Sequence, residues 1–221
     1  MPKPVPSLAM ALLTATSVTP VIAASAAQPP AGFVGEFWDV ASVSNLDAAL
    51  DVMGRLAPTA TFVASALDYP GGAASIVSDA TRLDAFLGLD AATLSGAGER
   101  GLEGSIFRFS GMIDLGAGVH EFAVGSDDGF QLRIGGDVVG VFADQRAFAT
   151  TVFSASLADG PQPFELVYFE NFGVTGVDLR IDGALADRAI LAVSPVPEPV
   201  QLPLYLAGLA ILGRSARRRQ R

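Results

Sequence analysis

Alternation of apolar and polar residues dominates the chain between residues 105 and 182. The apolar positions recur every second residue in five segments, at residues 107–113, 122–124, 130–134, 164–168 and 177–181. A period of two is typical of antiparallel strands that bury one face. Glycine-rich breaks at residues 115–118 and 135–137 favour tight turns between these segments. Strands spaced by roughly ten residues predict a β-sandwich or barrel.

The first half of the chain has a mixed pattern that predicts two short helices. An apolar stripe at helical spacing runs through residues 46–53, and Ser44 precedes it as the predicted N-cap. A second short helix is predicted at residues 82–87, and a strand at residues 61–66. Residues 94–104 are rich in glycine and are predicted to form a loop.

Residues 1–26 have the three-part pattern of a secretory signal peptide. Lys3 gives the positively charged start, and residues 8–24 carry no charge. Small residues then provide a signal-peptidase site, which predicts cleavage near Ala26 or Ala27. The pattern therefore predicts export through the general secretion machinery.

The C-terminus combines a proline-flanked glutamate, an uncharged and largely apolar run at residues 200–212, and a cluster of arginines. The run is shorter than the roughly 20 residues that a spanning helix needs, so it is a marginal membrane segment. The positive-inside rule keeps its arginines on the cytoplasmic side. The residues that define this pattern are Pro197, Glu198, Pro199, Arg217, Arg218 and Arg219.

Over residues 195–221 this order resembles the PEP-CTERM sorting signal. In that family the tail is recognised by exosortase, a membrane protease-transpeptidase of Gram-negative bacteria that make exopolysaccharide and biofilm. The resemblance implies that exosortase is a partner and that a C-terminal hydrophobic helix contacts the inner membrane before processing. The protein is then expected at the cell surface or in the extracellular matrix.

Charge and cysteine content exclude several classes of function. Residues 28–195 contain 22 acidic and 8 basic residues, which gives a net charge of −14. A domain with this much negative charge repels phosphate groups, so nucleic acid is excluded as a partner. The chain has no cysteine, which excludes disulfides, thiolate metal sites and cysteine nucleophiles.

Three passages resemble, in the same order, the anthrax-protective-antigen-type domain, also called PA-fourteen. They lie at residues 32–38, at residues 107–136 and at residues 163–181, and the most specific element is Ser-Asp-Asp-Gly at residues 126–129. The resemblance implies a mainly β fold, an antiparallel sandwich of the protective-antigen type with one or two short helices. Members of this family occur in glycosidases, adhesins, toxins and fungal flocculins, where they bind carbohydrate or mediate contact.

The chain of 221 residues is therefore expected to have one folded domain between two processing segments. The predicted signal peptide covers residues 1–26, and the predicted sandwich domain covers residues 28–190. The predicted sorting tail, with its hydrophobic helix, covers residues 195–221.

Asp127 and Asp128 form the candidate site. Adjacent side chains on a regular strand point to opposite faces, so the backbone must leave the strand if both carboxylates are to reach one ion. Gly125 and Gly129 flank the pair and are predicted to permit this. In the sugar-binding members of the family, a cis peptide joins the two aspartates, which hold a Ca²⁺ ion that coordinates sugar hydroxyls. The resemblance thus implies Ca²⁺ as a cofactor and a glycan or exopolysaccharide as a partner.

Calcium takes 6–8 oxygen ligands, so the aspartate pair needs further donors. We expect Asn171, in the loop after the aromatic strand, to be the third metal ligand, and Glu170 is a further candidate in the ligand-binding site. The alternative interpretation is that residues 126–129 form only a hydrogen-bonded turn. Trp38 is expected in the core rather than as a sugar-stacking platform, and His120 is expected to be solvated or hydrogen-bonded.

Three classes of function remain open at this point. The first is an exported protein that binds calcium and carbohydrate, and the second is a structural matrix protein without a ligand site. The third is a glycan-acting hydrolase, which paired carboxylates would permit. The chain has no Gly-x-Ser-x-Gly sequence, and no catalytic residue is predicted.

Overall fold

The computed structural model describes residues 32–71 and 75–191. The predicted signal peptide and the predicted sorting tail, with its C-terminal helix, lie outside the described residues. Among the helices of the described part, none has the length and apolar character needed to span a bilayer.

Thirteen strands and two α-helices are present in these residues. The strands are β1 (Phe33–Asp39), β2 (Ala60–Ala64), β3 (Asp68–Tyr69), β4 (Val77–Ser78), β5 (Ser95–Gly96), β6 (Ser105–Ile113), β7 (Gly118–Asp127), β8 (Phe130–Ile134), β9 (Asp137–Phe142), β10 (Ala149–Leu157), β11 (Gln162–Glu170), β12 (Val174–Ile181) and β13 (Ala184–Leu185). The helices are α1 (Leu46–Arg55) and α2 (Leu83–Leu87), with 3₁₀ segments at Gly88–Thr93 and Arg188–Ile190.

The strands form two antiparallel sheets that pack face to face. One sheet has the order β5-β2-β1-β6-β11-β8-β9, and the other has the order β10-β7-β12-β13, with β3 and β4 also paired to β12. The predicted mainly β, antiparallel sandwich with two short helices is therefore confirmed. Its hairpin between β8 and β9 turns at Gly135 and Gly136, whose φ angles of 65° and 94° favour glycine.

The core between the sheets is built from the apolar faces that the alternation predicts. Phe107 is fully buried at its centre. Its ring centroid lies 5.1 Å from that of Phe37, 5.4 Å from Phe86, 6.1 Å from Phe109 and 5.7 Å from Tyr168. Such aromatic contacts add to the stability that area burial provides.

A second, smaller core lies on the outer face of the seven-stranded sheet, where the alternation predicts polar residues. Trp38, Val167 and Phe169 are buried there beneath α1, which contributes Leu46 and Ala49. The amphipathic helix covers this part of the sheet, so both faces of β11 are apolar near its end. Trp38 is 2% exposed, which confirms the expectation that it belongs to the core.

The predicted boundaries of the helices need two corrections. The N-cap of α1 is Asn45 and not Ser44, because the Asn45 side chain accepts a hydrogen bond from the Ala48 N–H at 2.9 Å. The second helix begins at Leu83, one residue later than predicted, and no side chain caps it. Both differences arise because several polar residues precede each apolar stripe. The stripe does not show at which of these residues the helix begins.

Strand pairing defines two ends of the sandwich, which we call the Ser105 end and the Ile113 end after the two ends of β6. Glu170, the last residue of β11, pairs with Ser105, and Gln162, the first residue of β11, pairs with Ile113. His120 lies toward the Ile113 end, where its Nδ1 is 2.8 Å from a carboxylate oxygen of Asp182. This hydrogen bond confirms the expectation for His120.

Candidate functional site

The aspartate pair lies where the chain crosses from one sheet to the other. Asp127 ends β7 in the six-stranded sheet, and only Asp128 and Gly129 separate it from β8 in the seven-stranded sheet. The peptide bond between Asp127 and Asp128 is cis, and each of the two residues is 5% exposed. The pair therefore sits at the Ser105 end, almost enclosed by protein.

The two flanking glycines are required by close packing. A Cβ at Gly129 would lie 2.5 Å from the carbonyl oxygen of Phe142 and 2.6 Å from the ring of Phe169. A Cβ at Gly125 would lie 2.4 Å from a carboxylate oxygen of Asp178. Neither glycine has a positive φ, so neither is needed for its conformational freedom, contrary to the prediction. Both are needed because a side chain would not fit at these positions.

Backbone N–H groups from two loops hold the aspartate carboxylates. Asp127 accepts a hydrogen bond from the Phe148 N–H at 2.9 Å. Asp128 accepts one from the Arg146 N–H and another from the Asn171 N–H, both at 2.9 Å. Because donors reach both carboxylates from fixed backbone, the orientation of the pair is set before any ligand binds.

Arg146 anchors the loop at residues 143–148 that supplies two of these donors. Its guanidinium donates to the Ser126 hydroxyl and to the Thr151 hydroxyl, each at 2.7 Å. It also lies 4.3 Å from the ring centroid of Phe142, a cation–π contact. Arg146 is therefore a positioning residue for the acidic pair.

A third carboxylate, that of Glu170, approaches the pair from inside the domain. One oxygen each from Asp127, Asp128 and Glu170 lies within 4.8 Å of the other two. Glu170 is fully buried. In the described part of the chain, neither of its oxygens has a hydrogen-bond partner, and neither does the hydroxyl of Ser105, the residue paired with it. Buried polar groups are nearly always satisfied, and a proton or a cation at this place would satisfy the Glu170 carboxylate.

Burial is the main cause that raises the pKa values of the three carboxyl groups. Burial, together with the neighbouring charges of Asp128 and Asp127, raises the pKa of Glu170 to about 9. Burial likewise raises the pKa of Asp127 to about 6, against the opposing effect of the Phe148 N–H. Burial also raises the pKa of Asp128. A cation in the cluster would offset the cost of burying these carboxylates in their charged form.

Asn171, the predicted third metal ligand, lies next to Asp128. Its backbone N–H is the donor to Asp128 described above, and its side-chain oxygen accepts a hydrogen bond from the Val43 N–H at 3.1 Å. An amide oxygen has two lone pairs, so one remains after this bond. The structure therefore brings Asp127, Asp128 and Glu170 together, and it places the backbone of Asn171 against Asp128. The role of the Asn171 side chain as a metal ligand stays a prediction.

A cavity of about 520 Å³ opens beside the aspartate pair. It is lined by Asp127, Asp128, Gln145, Arg146, Ala147, Phe172, Gly173 and Val174. Phe172 is 64% exposed and is the only one of the fourteen phenylalanines whose side chain is exposed. Sequence pattern singles out only Trp38 as a possible aromatic platform and does not reveal Phe172, although Phe172 directly follows the predicted ligand Asn171.

Replacing Glu170 tests the charge state of the cluster in the metal-free protein. Folded Glu170 keeps its proton up to about pH 9, whereas the unfolded chain releases it near the ordinary pKa of 4.5. The unfolded state then binds fewer protons than the folded state, and stability falls as the pH rises through this window. We expect Glu170→Gln, measured in chelator at pH 8, to be more stable than the wild type by roughly 1–3 kcal/mol.

Urea unfolding at several pH values provides this measurement. Glu121→Gln, which changes an exposed glutamate on β7, is the matched control and is expected to change stability by less than about 0.5 kcal/mol. An unchanged pH dependence in Glu170→Gln would contradict the assignment of a buried, unpaired carboxyl group.

Comparison with known proteins gives a match to folds and none to sequences. No protein-family model matches the chain, and no curated protein sequence matches it. Among solved structures, the chain is similar to the PA14 domain of the MpAFP antifreeze protein, with 25% identity and a TM-score of 0.67. The match covers 80% of this chain and 100% of that one.

Two further solved structures share the fold. A PA14 sugar-binding domain from an RTX adhesin has 24% identity and a TM-score of 0.64, over 74% of this chain and 98% of that one. The Epithelial Adhesin 6 A domain from Candida glabrata, in complex with Galb1-3GlcNAc, has 12% identity and a TM-score of 0.50, over 78% of this chain and 92% of that one. The chain therefore has a PA14-type fold, as the resemblance implies.

Proposed function

We propose that this domain binds Ca²⁺ through Asp127, Asp128 and Glu170, and that it binds a neutral glycan in the adjoining cavity. The observation that carries the proposal is the buried Glu170 carboxylate, which has no hydrogen-bond partner among the described residues and lies within 4.8 Å of the aspartate oxygens. Asn171 is proposed as a further oxygen donor at the edge of the cluster.

The donor set fits a hard cation. It contains carboxylate and amide oxygens and neither sulfur nor imidazole nitrogen, which suits Ca²⁺ rather than Zn²⁺. Three carboxylates exceed the charge of one divalent ion, and Arg146, with its guanidinium beside Ser126, supplies the remaining positive charge. When bound, the ion would offer vacant coordination positions to sugar hydroxyls.

The cavity has the size and chemistry for a carbohydrate. Its volume of about 520 Å³ lies in the range of small-molecule sites. The exposed aromatic ring of Phe172 lines it together with the carboxylates of Asp127 and Asp128. The net charge of −14 between residues 28 and 195 favours a neutral sugar over an acidic one. The sugar-binding PA14 domain of the RTX adhesin supports this choice of ligand class.

We further propose that the chain reaches the cell surface or the extracellular matrix by the route its ends indicate. Residues 1–26 would direct secretion, and residues 28–190 would fold as the binding domain. Residues 195–221 would hold the protein at the inner membrane until exosortase processes it. Together, these proposals give the protein a role in adhesion to exopolysaccharide. This role includes no catalytic step.

Calorimetric titration with glycans tests the proposed binding. We expect at least one of dextran, galactan and mannan to bind in Ca²⁺ and not in chelator. Phe172→Ala is expected to weaken that binding by roughly 10- to 100-fold, because burying a phenylalanine side chain contributes roughly 1.5–3 kcal/mol. Leu89→Ala, at a residue that is 95% exposed and away from the cavity, is the control and should bind as the wild type does.

The alternatives predict different outcomes of the same titration. A structural matrix protein without a ligand site would bind none of the polymers in either buffer. A hydrolase would shorten the polymer during the titration, which size-exclusion chromatography of the product would reveal.

A further inference from the structure

Both ends of the described domain lie together at the Ile113 end of the sandwich. A Cβ at Gly111 would lie 3.6 Å from Phe33, in the first strand, and 3.3 Å from Leu191, the last described residue. Leu191 also forms an isolated β-bridge with Ile113. The segments at residues 1–31 and 192–221 therefore join the domain at the same place.

The acidic cluster lies at the opposite end. Glu170 pairs with Ser105, the first residue of β6, whereas Ile113 is its last residue. Asp127 pairs with Gly176 at the Ser105 end, and Gly118, at the other end of β7, pairs with Leu157. Because β6 has nine residues, the two ends are separated by about 26 Å at 3.3 Å per residue.

The two ends also differ in chemistry. In residues 32–71 and 75–191, the only group of three metal-ligating side chains is that of Asp127, Asp128 and Glu170. The aromatic ring of Phe172 and the cavity of about 520 Å³ lie beside this group. The metal-ligating cluster and the exposed aromatic ring therefore lie at the end farthest from the attachment of both flanking segments.

From this arrangement we infer that the domain is tethered at its Ile113 end and presents the acidic cluster outward, to a polysaccharide on the side facing away from the tether. The inference rests on the proposed binding of calcium and glycan, and on the proposed attachment through residues 195–221 for as long as that attachment lasts. The charge of the domain acts in the same direction, since a net charge of −14 is repelled by an anionic membrane surface. The inferred partner is therefore a polymer on the side of the domain that faces away from the tether, rather than the lipid headgroups around the tether.

Attachment through single cysteines tests the inference, because the natural chain contains none. Asp159→Cys places a thiol in the exposed turn between β10 and β11, at the Ile113 end, and Glu103→Cys places one in the exposed turn before β6, at the Ser105 end. Each variant replaces an exposed acidic residue, so the pair is matched in charge. The full chain in detergent is attached through the thiol to a maleimide surface, and Ca²⁺-dependent capture of high-mass dextran, galactan and mannan is measured.

We expect the Asp159→Cys surface to capture polymer as the free protein does. The Glu103→Cys surface is expected to capture about fivefold less, because attachment at the Ser105 end turns the binding site toward the surface and blocks the polymer's access to it. Luminescence of bound Tb³⁺, an oxygen-seeking substitute for Ca²⁺, should be equal on both surfaces. Equal capture, or greater capture through Glu103→Cys, would overturn the outward orientation while leaving the proposed function intact. No Tb³⁺ signal, or no capture by the free protein, would overturn the proposed function and this inference with it.

Discussion

Excess Ca²⁺ is expected to raise the thermal unfolding temperature of the chain by roughly 5–10 °C, and Asp128→Asn is expected to abolish the rise. A ligand present at 100 times its dissociation constant stabilises the folded state by about 2.7 kcal/mol, which corresponds to a shift of this size in a domain of this length. Asp128 is chosen because both its oxygens are held by backbone N–H groups, from Arg146 and Asn171. Asparagine keeps the shape and one acceptor oxygen but removes the charge.

Differential scanning calorimetry in excess Ca²⁺ and in chelator provides the measurement. Asp137→Asn, in the exposed first position of β9, is the matched control and should retain the full shift. A wild-type protein that melts at the same temperature in both buffers would contradict the calcium site and favour a structural matrix protein. Mg²⁺ in place of Ca²⁺ should have a smaller effect, because its octahedral geometry is less tolerant of a cluster fixed by backbone.

Gly129→Ala is expected to destabilise the domain by about 3 kcal/mol, the upper end of the usual cost when overpacking forces the backbone to move. The added methyl group would lie 2.5 Å from the Phe142 carbonyl oxygen and 2.8 Å from that of Asp144. Two backbone atoms cannot give way as the end of a flexible side chain can. The same shift would displace the turn that carries Asp128, so calcium binding should be lost as well.

Gly54→Ala is the control for this substitution. Gly54 lies in α1, and a Cβ there would meet no atom within 4 Å. Alanine is the better helix former, so this variant is expected to gain about 0.5–1 kcal/mol. Urea unfolding of both variants, with Tb³⁺ luminescence as the measure of metal binding, separates the two results. Wild-type stability and metal binding in Gly129→Ala would refute the packing that the structure assigns to this turn.

Much of the fold follows from local pattern, and the exceptions have identifiable causes. The period of two predicts the strands that enclose Phe107, because alternation is a property of neighbouring residues. It does not predict that Val167 and Phe169 are buried on the other face, since α1, which covers them, is more than 100 residues away in the chain. The alternation of residues within a strand does not show whether a helix from elsewhere in the chain covers its outer face.

The candidate site shows the same division. The sequence by itself determined the Asp127–Asp128 turn, because the turn depends on a short run of specific residues. Short runs of this kind also predict the signals at the two ends of the chain. Only the tertiary structure decided that Glu170 reaches the pair as an unpaired carboxylate, that Phe172 remains exposed beside it, and that the cluster lies far from Leu191. The physical reason is that strand register and sheet packing bring together residues that are more than 40 positions apart in the chain. The burial and the charge of these residues therefore depend on the complete fold and cannot be read from the local sequence.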